Sequence, residues 1–174
     1  MRTISMLVIS AIMFILHILL APAIAIFTAK IDFIMISVIF LGIFAQKWYQ
    51  PVLCAVYSGL CVDIVTQAGT YINTGLYLFF GILIGVAVML FKENTFPLSI
   101  LAVSIATALK HLIYVFLLYI MRLSESLTIT TFFYGLPSVI YTVAVATGIY
   151  FVYKGLFSCS FMQEKTEDDG KFFI

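Results

Sequence analysis

The sequence predicts an all-α, polytopic membrane protein, a helical bundle of about six transmembrane helices with both termini in the cytoplasm. Of its 174 residues, 64% are hydrophobic and 10% are charged, and the mean hydropathy is +1.19. An average soluble domain has about a quarter of its residues charged. At roughly 20 apolar residues per span, the chain has room for about six helices. This composition excludes a soluble enzyme, a disordered chain and a nucleic-acid-binding domain.

The few charged residues divide the chain into six apolar segments. They cover residues 4–27, 33–45, 51–66, 72–91, 97–121 and 132–153. Lys30 and Asp32 end the first segment, Lys47 and Trp48 end the second, and Pro51 opens the third, because proline suits a first helical turn. The second has 13 residues, which rise only about 20 Å in a helix, against a hydrocarbon core of about 30 Å. The second and third segments therefore either span with their ends snorkelling or form a hairpin that dips into the membrane.

The basic residues are distributed unequally between the two sides of a six-span arrangement. The side that holds both termini carries six, and the other side carries two: Arg2, Lys47, Lys92, Lys154, Lys165 and Lys171 against Lys30 and Arg122. The positive-inside rule then places both termini in the cytoplasm. Residues 1–153 form the predicted transmembrane domain. Residues 154–174, which carry seven charges, are predicted to be a disordered cytoplasmic tail.

The first segment also has features of a secretory signal. Arg2 precedes a long apolar run that ends in the small-residue stretch Ala21-Pro22-Ala23-Ile24-Ala25. The run is longer than the 7–15 residues typical of a signal core, so we expect this helix to be retained. Cleavage is the alternative, and it would leave five spans with the C-terminus still inside.

Ionisable residues inside the predicted spans are costly to bury, so each is a functional hypothesis. Asp63 lies 16 residues beyond Lys47, and Lys110 lies 18 residues beyond Lys92, which is about 24 and 27 Å of helical rise. The two therefore reach a similar depth. We predict that Asp63 and Lys110 form a buried ion pair or share a small polar cavity with His111. A structural role is favoured over a proton relay, which needs a longer chain of titratable groups.

Glycines and one proline mark positions where helices are expected to approach closely or bend. The fourth segment contains Gly75, Gly81 and Gly85, and the last two form a GxxxG face that admits another helix of this chain or of a partner. Gly59 in the third segment is expected to play a similar packing role. Pro137 lies a few residues into the last segment, where it is predicted to kink the helix.

The sequence contains no pattern of residues typical of catalysis or metal binding. Phosphate-binding glycine loops, nucleophile–base spacings and HExxH are absent from it. The three cysteines, Cys54, Cys61 and Cys159, form no CxxC pair and are interpreted as small hydrophobic residues. His17, which is surrounded by Leu and Ile, is predicted to be a hydrogen-bonded packing residue. We expect no enzymatic activity, no cofactor and no metal.

Four stretches of the chain carry a resemblance to a known family. They are GLCVDIV at 59–65, NTGL at 73–76, FGILIG at 80–85 and LPSVIY at 136–141. Together they resemble the rod shape-determining protein MreD family, which has a G-x-x-x-D segment, a short glycine-containing loop and a glycine-spaced helix. Chain length and span count are also similar to that family.

The chain departs from the family pattern at several positions. A proline often precedes the acidic residue before the second span, and here Ile31 precedes Asp32. An asparagine commonly follows the last-span segment, and here Thr142 stands there. Lys110 and His111 belong to no family pattern.

The resemblance implies a non-enzymatic component of the bacterial cell-elongation machinery in the inner membrane. It implies a single-span partner, MreC, through which the actin-like MreB filament is linked to the peptidoglycan synthases. Those synthases are a SEDS glycosyltransferase and a class B penicillin-binding protein. The Gly81/Gly85 surface and the outer-side loop at 67–73 would be natural contacts, and membrane lipid surrounds the rest.

A second candidate comes from another functional class. The S-components of energy-coupling-factor vitamin transporters are also six-span proteins of about this length, with small-residue A-x-x-x-A faces on the first helix. Ala21 and Ala25 match that spacing, although Pro22 interrupts it at the end of the helix. A vitamin site would need several polar residues converging from the outer-side loops, and this sequence supplies few there.

Overall fold

The computed structural model describes residues 2–25, 29–44, 47–66, 71–90, 95–121 and 129–158, which contain six α-helices. The helices are α1 (Arg2–Ala23), α2 (Phe33–Ile43), α3 (Tyr49–Thr66), α4 (Ile72–Leu90), α5 (Phe96–Ile120) and α6 (Ile129–Ser158). Each predicted apolar segment corresponds to one helix, so the all-α prediction is confirmed. The last helix continues to Ser158, beyond the predicted boundary at Tyr153, and residues 159–174 lie outside the described residues.

Within the described residues, four helices are long and apolar enough to cross a membrane. Their apolar stretches are Thr3–Ala23, Tyr49–Thr66, Phe96–Leu117 and Gly135–Ser158, whereas Phe33–Ile43 and Ile72–Ala87 are shorter. The outer surface is equally apolar, because Ile4, Ile64, Ile105 and Ile140 are each 58–70% exposed. Large apolar side chains exposed on so many helices match a lipid environment. The protein is therefore membrane-embedded.

The short helix α2 occupies the centre of the bundle. It packs against all five other helices, and every residue from Phe33 to Gly42 is buried. A helix that is apolar all round is stable only when it is enclosed on all sides. Its 11 residues rise about 16 Å, so α2 does not reach across a bilayer. The other helices, rather than lipid, cover its apolar surface.

The hairpin of α3 and α4 is held together by glycines. A Cβ atom at Gly59 would lie 2.6 Å from the Cα of Thr74, and one at Gly81 would lie 2.7 Å from a side chain of α3. A Cβ at Gly85 would lie 2.6 Å from the main-chain oxygen of Trp48. The GxxxG face at Gly81 and Gly85 thus packs within the chain, against α3 and the residue before it.

The remaining helices, α5 and α6, form a pair that we call the arm, and α1–α4 form a four-helix unit. Among the described helices, the arm contacts the four-helix unit only through α2 and, less extensively, through α4. Pro137 lies inside α6, and its side chain is exposed. The fold therefore has α2 at its centre. Helix α1 and the α3–α4 hairpin pack on one side of α2, and the arm packs on the other side.

Candidate functional site

The site is centred on Asp32, the residue that precedes α2. Its Oδ1 accepts a hydrogen bond of 3.0 Å from the main-chain N–H of Met35, so Asp32 is the N-cap of the buried helix. An N-cap side chain satisfies one of the free N–H groups of the first turn. For α2 this cap is important, because the first turn of the helix is buried, with Phe33, Ile34 and Met35 only 0–5% exposed.

Lys110 of α5 and Tyr77 of α4 complete a closed ring of hydrogen bonds with Asp32. Lys110 Nζ donates to Asp32 Oδ2 at 2.5 Å and to the hydroxyl of Tyr77 at 2.6 Å. The Tyr77 hydroxyl donates in turn to Asp32 Oδ1 at 3.0 Å. The ammonium group also lies 4.1 Å from the centroid of the Tyr77 ring, within the range of a cation–π interaction. Three helix elements therefore meet at one ion pair.

Hydroxyl groups of α6 extend this network along the chain between α1 and α2. Thr142 Oγ1 accepts from the main-chain N–H of Asp32 at 3.2 Å. Ser138 and Tyr141 donate to main-chain oxygens of the same connecting chain, at 2.5 and 3.0 Å. Non-helical backbone at membrane depth needs such partners, because lipid offers none. We call Asp32, Tyr77, Lys110 and Thr142 the Asp32 junction.

The charges of the junction compensate each other at low exposure. The side chains of Lys110 and Asp32 are 15% and 12% exposed, and Tyr77 is 1% exposed. Desolvation offsets most of the attraction in a buried pair, whereas removing one partner leaves an uncompensated charge that costs several kcal/mol. The arrangement is therefore suited to fixing the arm on the four-helix unit.

Asp63 lies in a second polar site, at the start of α4. Its Oδ1 accepts from the main-chain N–H and Nδ2 of Asn73, at 3.3 and 2.9 Å. Its Oδ2 accepts from the main-chain N–H and Oγ1 of Thr74, at 2.8 and 2.6 Å. A carboxylate from α3 thus caps the positive end of α4, where the helix dipole favours an anion.

The ion pair expected between Asp63 and Lys110 is wrong, because Lys110 pairs with Asp32. Both predicted residues nevertheless bind α4 on neighbouring turns, Asp63 at Thr74 and Lys110 at Tyr77. The similar depth inferred from the spacing therefore agrees with the structure. Residue spacing places Asp32 in the loop between the first two spans, so it does not identify Asp32 as a partner for Lys110.

The two histidines lie at different contacts: His17 of α1 lies close enough to the Asp32 junction to interact electrostatically with Asp32 and Lys110, and His111 lies inside the arm. His111 faces Gly135 of α6 so closely that a Cβ at Gly135 would overlap the imidazole ring. It therefore belongs to the contact between α5 and α6, inside the arm. The His17 side chain hydrogen-bonds the main chain of Ile31, which confirms the hydrogen-bonded role predicted for it, while its buried Nδ1 has no partner among the described residues.

Sequence reasoning missed three members of the junction: Asp32, Tyr77 and Thr142. Two signals could have found them. An aspartate directly before an apolar run is an N-cap signal, and Asp32 precedes Phe33 in that way. A tyrosine in an apolar helix usually finds a partner for its hydroxyl when it is buried, which applies to Tyr77 within α4.

An open apolar groove lies between α4 and α5. Its volume is about 300 Å³, and a Cβ at Gly75 would meet no atom within 4 Å. Gly75 therefore differs from Gly59, Gly81 and Gly85, where an added Cβ would collide with neighbouring atoms. The groove is lined by Tyr71, Ile72, Gly75, Leu76, Phe79, Ile113 and Leu117. Residues 67–70 of the loop predicted as a contact lie outside the described residues.

The chain was compared with protein-family models, curated proteins and solved structures, and none of them matches it. Interpretation of the site therefore depends on the residues of this chain. In both polar sites the described contacts hold a helix start or a helix pair in place.

Proposed function

We propose that this protein is a non-enzymatic scaffold of the bacterial inner membrane that acts in the cell-elongation machinery. In this role it binds a single-span protein similar to MreC. Through that partner it links MreB filaments to the SEDS glycosyltransferase and the class B penicillin-binding protein that build peptidoglycan. Both termini face the cytoplasm in this proposal, with six helices in the membrane.

The observation that carries the proposal is the structural role of the residues that resemble the MreD family. Asp63 binds Asn73 and Thr74, and Gly59 and Gly81 allow α3 and α4 to approach closely. These residues are separated in the sequence and form one hairpin in space. A pattern that specifies a tight hairpin and a helix cap is a structural signature, which supports a scaffold.

A second contact joins two further positions of the pattern. Thr142, which follows the last-span segment, accepts a hydrogen bond from the main chain of Asp32. Asp32 is the acidic residue before the second span. The family pattern therefore coincides with contacts at both polar sites, although Thr142 replaces the usual asparagine.

The chemistry of the two sites also favours a holding role. The Asp32 carboxylate is compensated by Lys110 and Tyr77, and both oxygens of Asp63 accept hydrogen bonds from the start of α4. A carboxylate used as a catalytic base would need access to a substrate proton. These carboxylates are committed to helix ends and to the arm.

Co-purification tests the proposal directly. The tagged protein is co-expressed with the single-span coiled-coil protein encoded beside an actin-like gene in the same genome, and it is isolated in mild detergent. An unrelated single-span protein with the same tag is the control. We expect a complex with the first protein alone. Absence of that complex, or equal recovery of both proteins, would contradict the scaffold.

A ligand screen separates the scaffold from the S-component candidate. Thermal unfolding of the purified protein is measured with each B vitamin in turn. The scaffold predicts no shift with any of them. Tight binding of a single vitamin would instead favour the transporter class and count against the proposal.

A further inference from the structure

The contacts between the arm and the four-helix unit are of two different kinds at two ends of the bundle. Near the start of α2 they are directional hydrogen bonds. Lys110 binds Asp32 and Tyr77, Thr142 binds Asp32, and Tyr141 binds the chain before it. Hydrogen bonds of this kind weaken steeply when donor and acceptor move apart or out of line.

Near the end of α2 the contacts are mainly aromatic. The ring of Phe40 lies 5.7 Å from Tyr150, and the ring of Phe44 lies 5.1 Å from Phe157, measured between centroids. Phe40 also lies 5.5 Å from Tyr153, whose hydroxyl donates to Ser37 Oγ of α2 at 3.2 Å. Ring contacts of this type are favourable over a range of tilts and separations. This aromatic cluster can keep its contacts while the helices rotate slightly against each other.

The groove between α4 and α5 lies beside the polar end of this boundary. Leu76 and Ile113 line it, and they lie one and three residues from Tyr77 and Lys110 in the sequence. Gly75 leaves open space there. The boundary between α4 and α5 is therefore loosely packed beside the Asp32–Lys110 ion pair. At that position the hydrogen bonds of Lys110 are the main contact between the arm and the four-helix unit.

We propose that the arm is a hinged element. It is closed by the Asp32 junction, pivots on the aromatic cluster at the other end of α2, and opens along the groove between α4 and α5. The inference is independent of the proposed function, because it uses only the contacts between the arm and the four-helix unit. Opening separates Lys110 from Asp32 and Tyr77 while the α3–α4 hairpin stays intact.

Distance measurements between spin labels in lipid nanodiscs test the hinge. One pair, at Phe79 of α4 and Phe116 of α5, crosses the boundary, and both side chains are exposed. A control pair, at Leu53 and Ile82, lies within the α3–α4 hairpin and is also exposed. The labels are attached to cysteines introduced at these positions after the native cysteines have been replaced.

Two substitutions are compared on each labelled pair. Lys110→Met removes the charge and both hydrogen bonds of Lys110 and keeps an unbranched side chain. Asp63→Asn is the matched control, because it weakens a polar site of similar depth that does not touch the arm. We expect Lys110→Met to lengthen and broaden the distance across the boundary, with a roughly tenfold larger open population for the loss of charge-assisted hydrogen bonds. The hairpin distance stays unchanged, and Asp63→Asn leaves the boundary distance unchanged.

Three results would overturn the hinge. They are an unaltered boundary distance in Lys110→Met, an equal change in both labelled pairs, and an equal effect of Asp63→Asn on the boundary. If Lys110→Met does not fold, Ser138→Ala and Tyr141→Phe replace it, since each removes one hydrogen bond of the arm. They are expected to produce a smaller shift in the same direction, and no shift in either would equally refute the hinge.

Discussion

Replacing Asp63 by alanine should be among the most destabilising single changes in this protein. The substitution removes the acceptor of four hydrogen bonds from Asn73 and Thr74. The two side-chain donors can rotate to other partners, but the two main-chain N–H groups cannot. A buried donor left unsatisfied costs about 1–3 kcal/mol. Asn73 and Thr74 are only partly buried, so the lower part of that range applies to each N–H group, and the two together predict a loss of about 2–4 kcal/mol in the free energy of unfolding.

Asp63→Asn should cost less, about 1–2 kcal/mol, because one oxygen remains to accept from the α4 start. Thr66→Val is the matched control. Its hydroxyl donates to the carbonyl oxygen of Val62 in its own helix, at 2.8 Å, so its removal leaves no donor unsatisfied. We expect a change within about 0.5 kcal/mol for this control.

Unfolding in mixed detergent micelles with increasing sodium dodecyl sulfate, followed by far-ultraviolet circular dichroism, measures these differences. The predicted order of stability is wild type and Thr66→Val, then Asp63→Asn, then Asp63→Ala. If Asp63→Ala unfolds together with Thr66→Val, the carboxylate does not hold the start of α4, and the reasoning from its four contacts is refuted.

Two further predictions concern glycines. Gly85→Leu should separate α3 from α4 and lower the free energy of unfolding by about 3 kcal/mol, because its Cβ would meet the main-chain oxygen of Trp48. Gly75→Ala is the matched control: nothing lies within 4 Å of the added Cβ, so this change should be neutral or stabilise the protein by up to about 1 kcal/mol. Equal losses in the same unfolding assay would contradict this. Gly135→Ala should destabilise the arm through the ring of His111, and His111→Ala in the same chain should restore part of the loss; additive effects of the two changes would rule out their contact.

The helices themselves followed from the sequence because charge and proline mark their ends. The predicted segments at 33–45 and 72–91 correspond closely to α2 and α4. In an apolar chain the few polar residues must lie near water or pair with each other, so their positions define the spans. This argument does not depend on how the helices pack.

The ion pair could not be assigned in the same way. Counting residues from Lys92 gave a depth for Lys110, but the same method treats the chain between α1 and α2 as a loop outside the membrane. The chain instead turns into the bundle there, where Ala29 and Ile31 are 3% and 0% exposed. Asp32 therefore reaches the depth of Lys110 through non-helical backbone, which no helical spacing predicts.

The position of α2 has a consequence for how the protein is made. Its neighbours α3–α6 all follow it in the sequence, so during synthesis α2 emerges when only α1 is present to cover it. It is too short to cross a bilayer alone, and the residue that binds its capping aspartate, Lys110, is synthesised much later. The second helix to be translated is thus among the last to reach its final environment. Chains that end before α5 should therefore depend on membrane chaperones or be degraded, even though four of their helices are already complete.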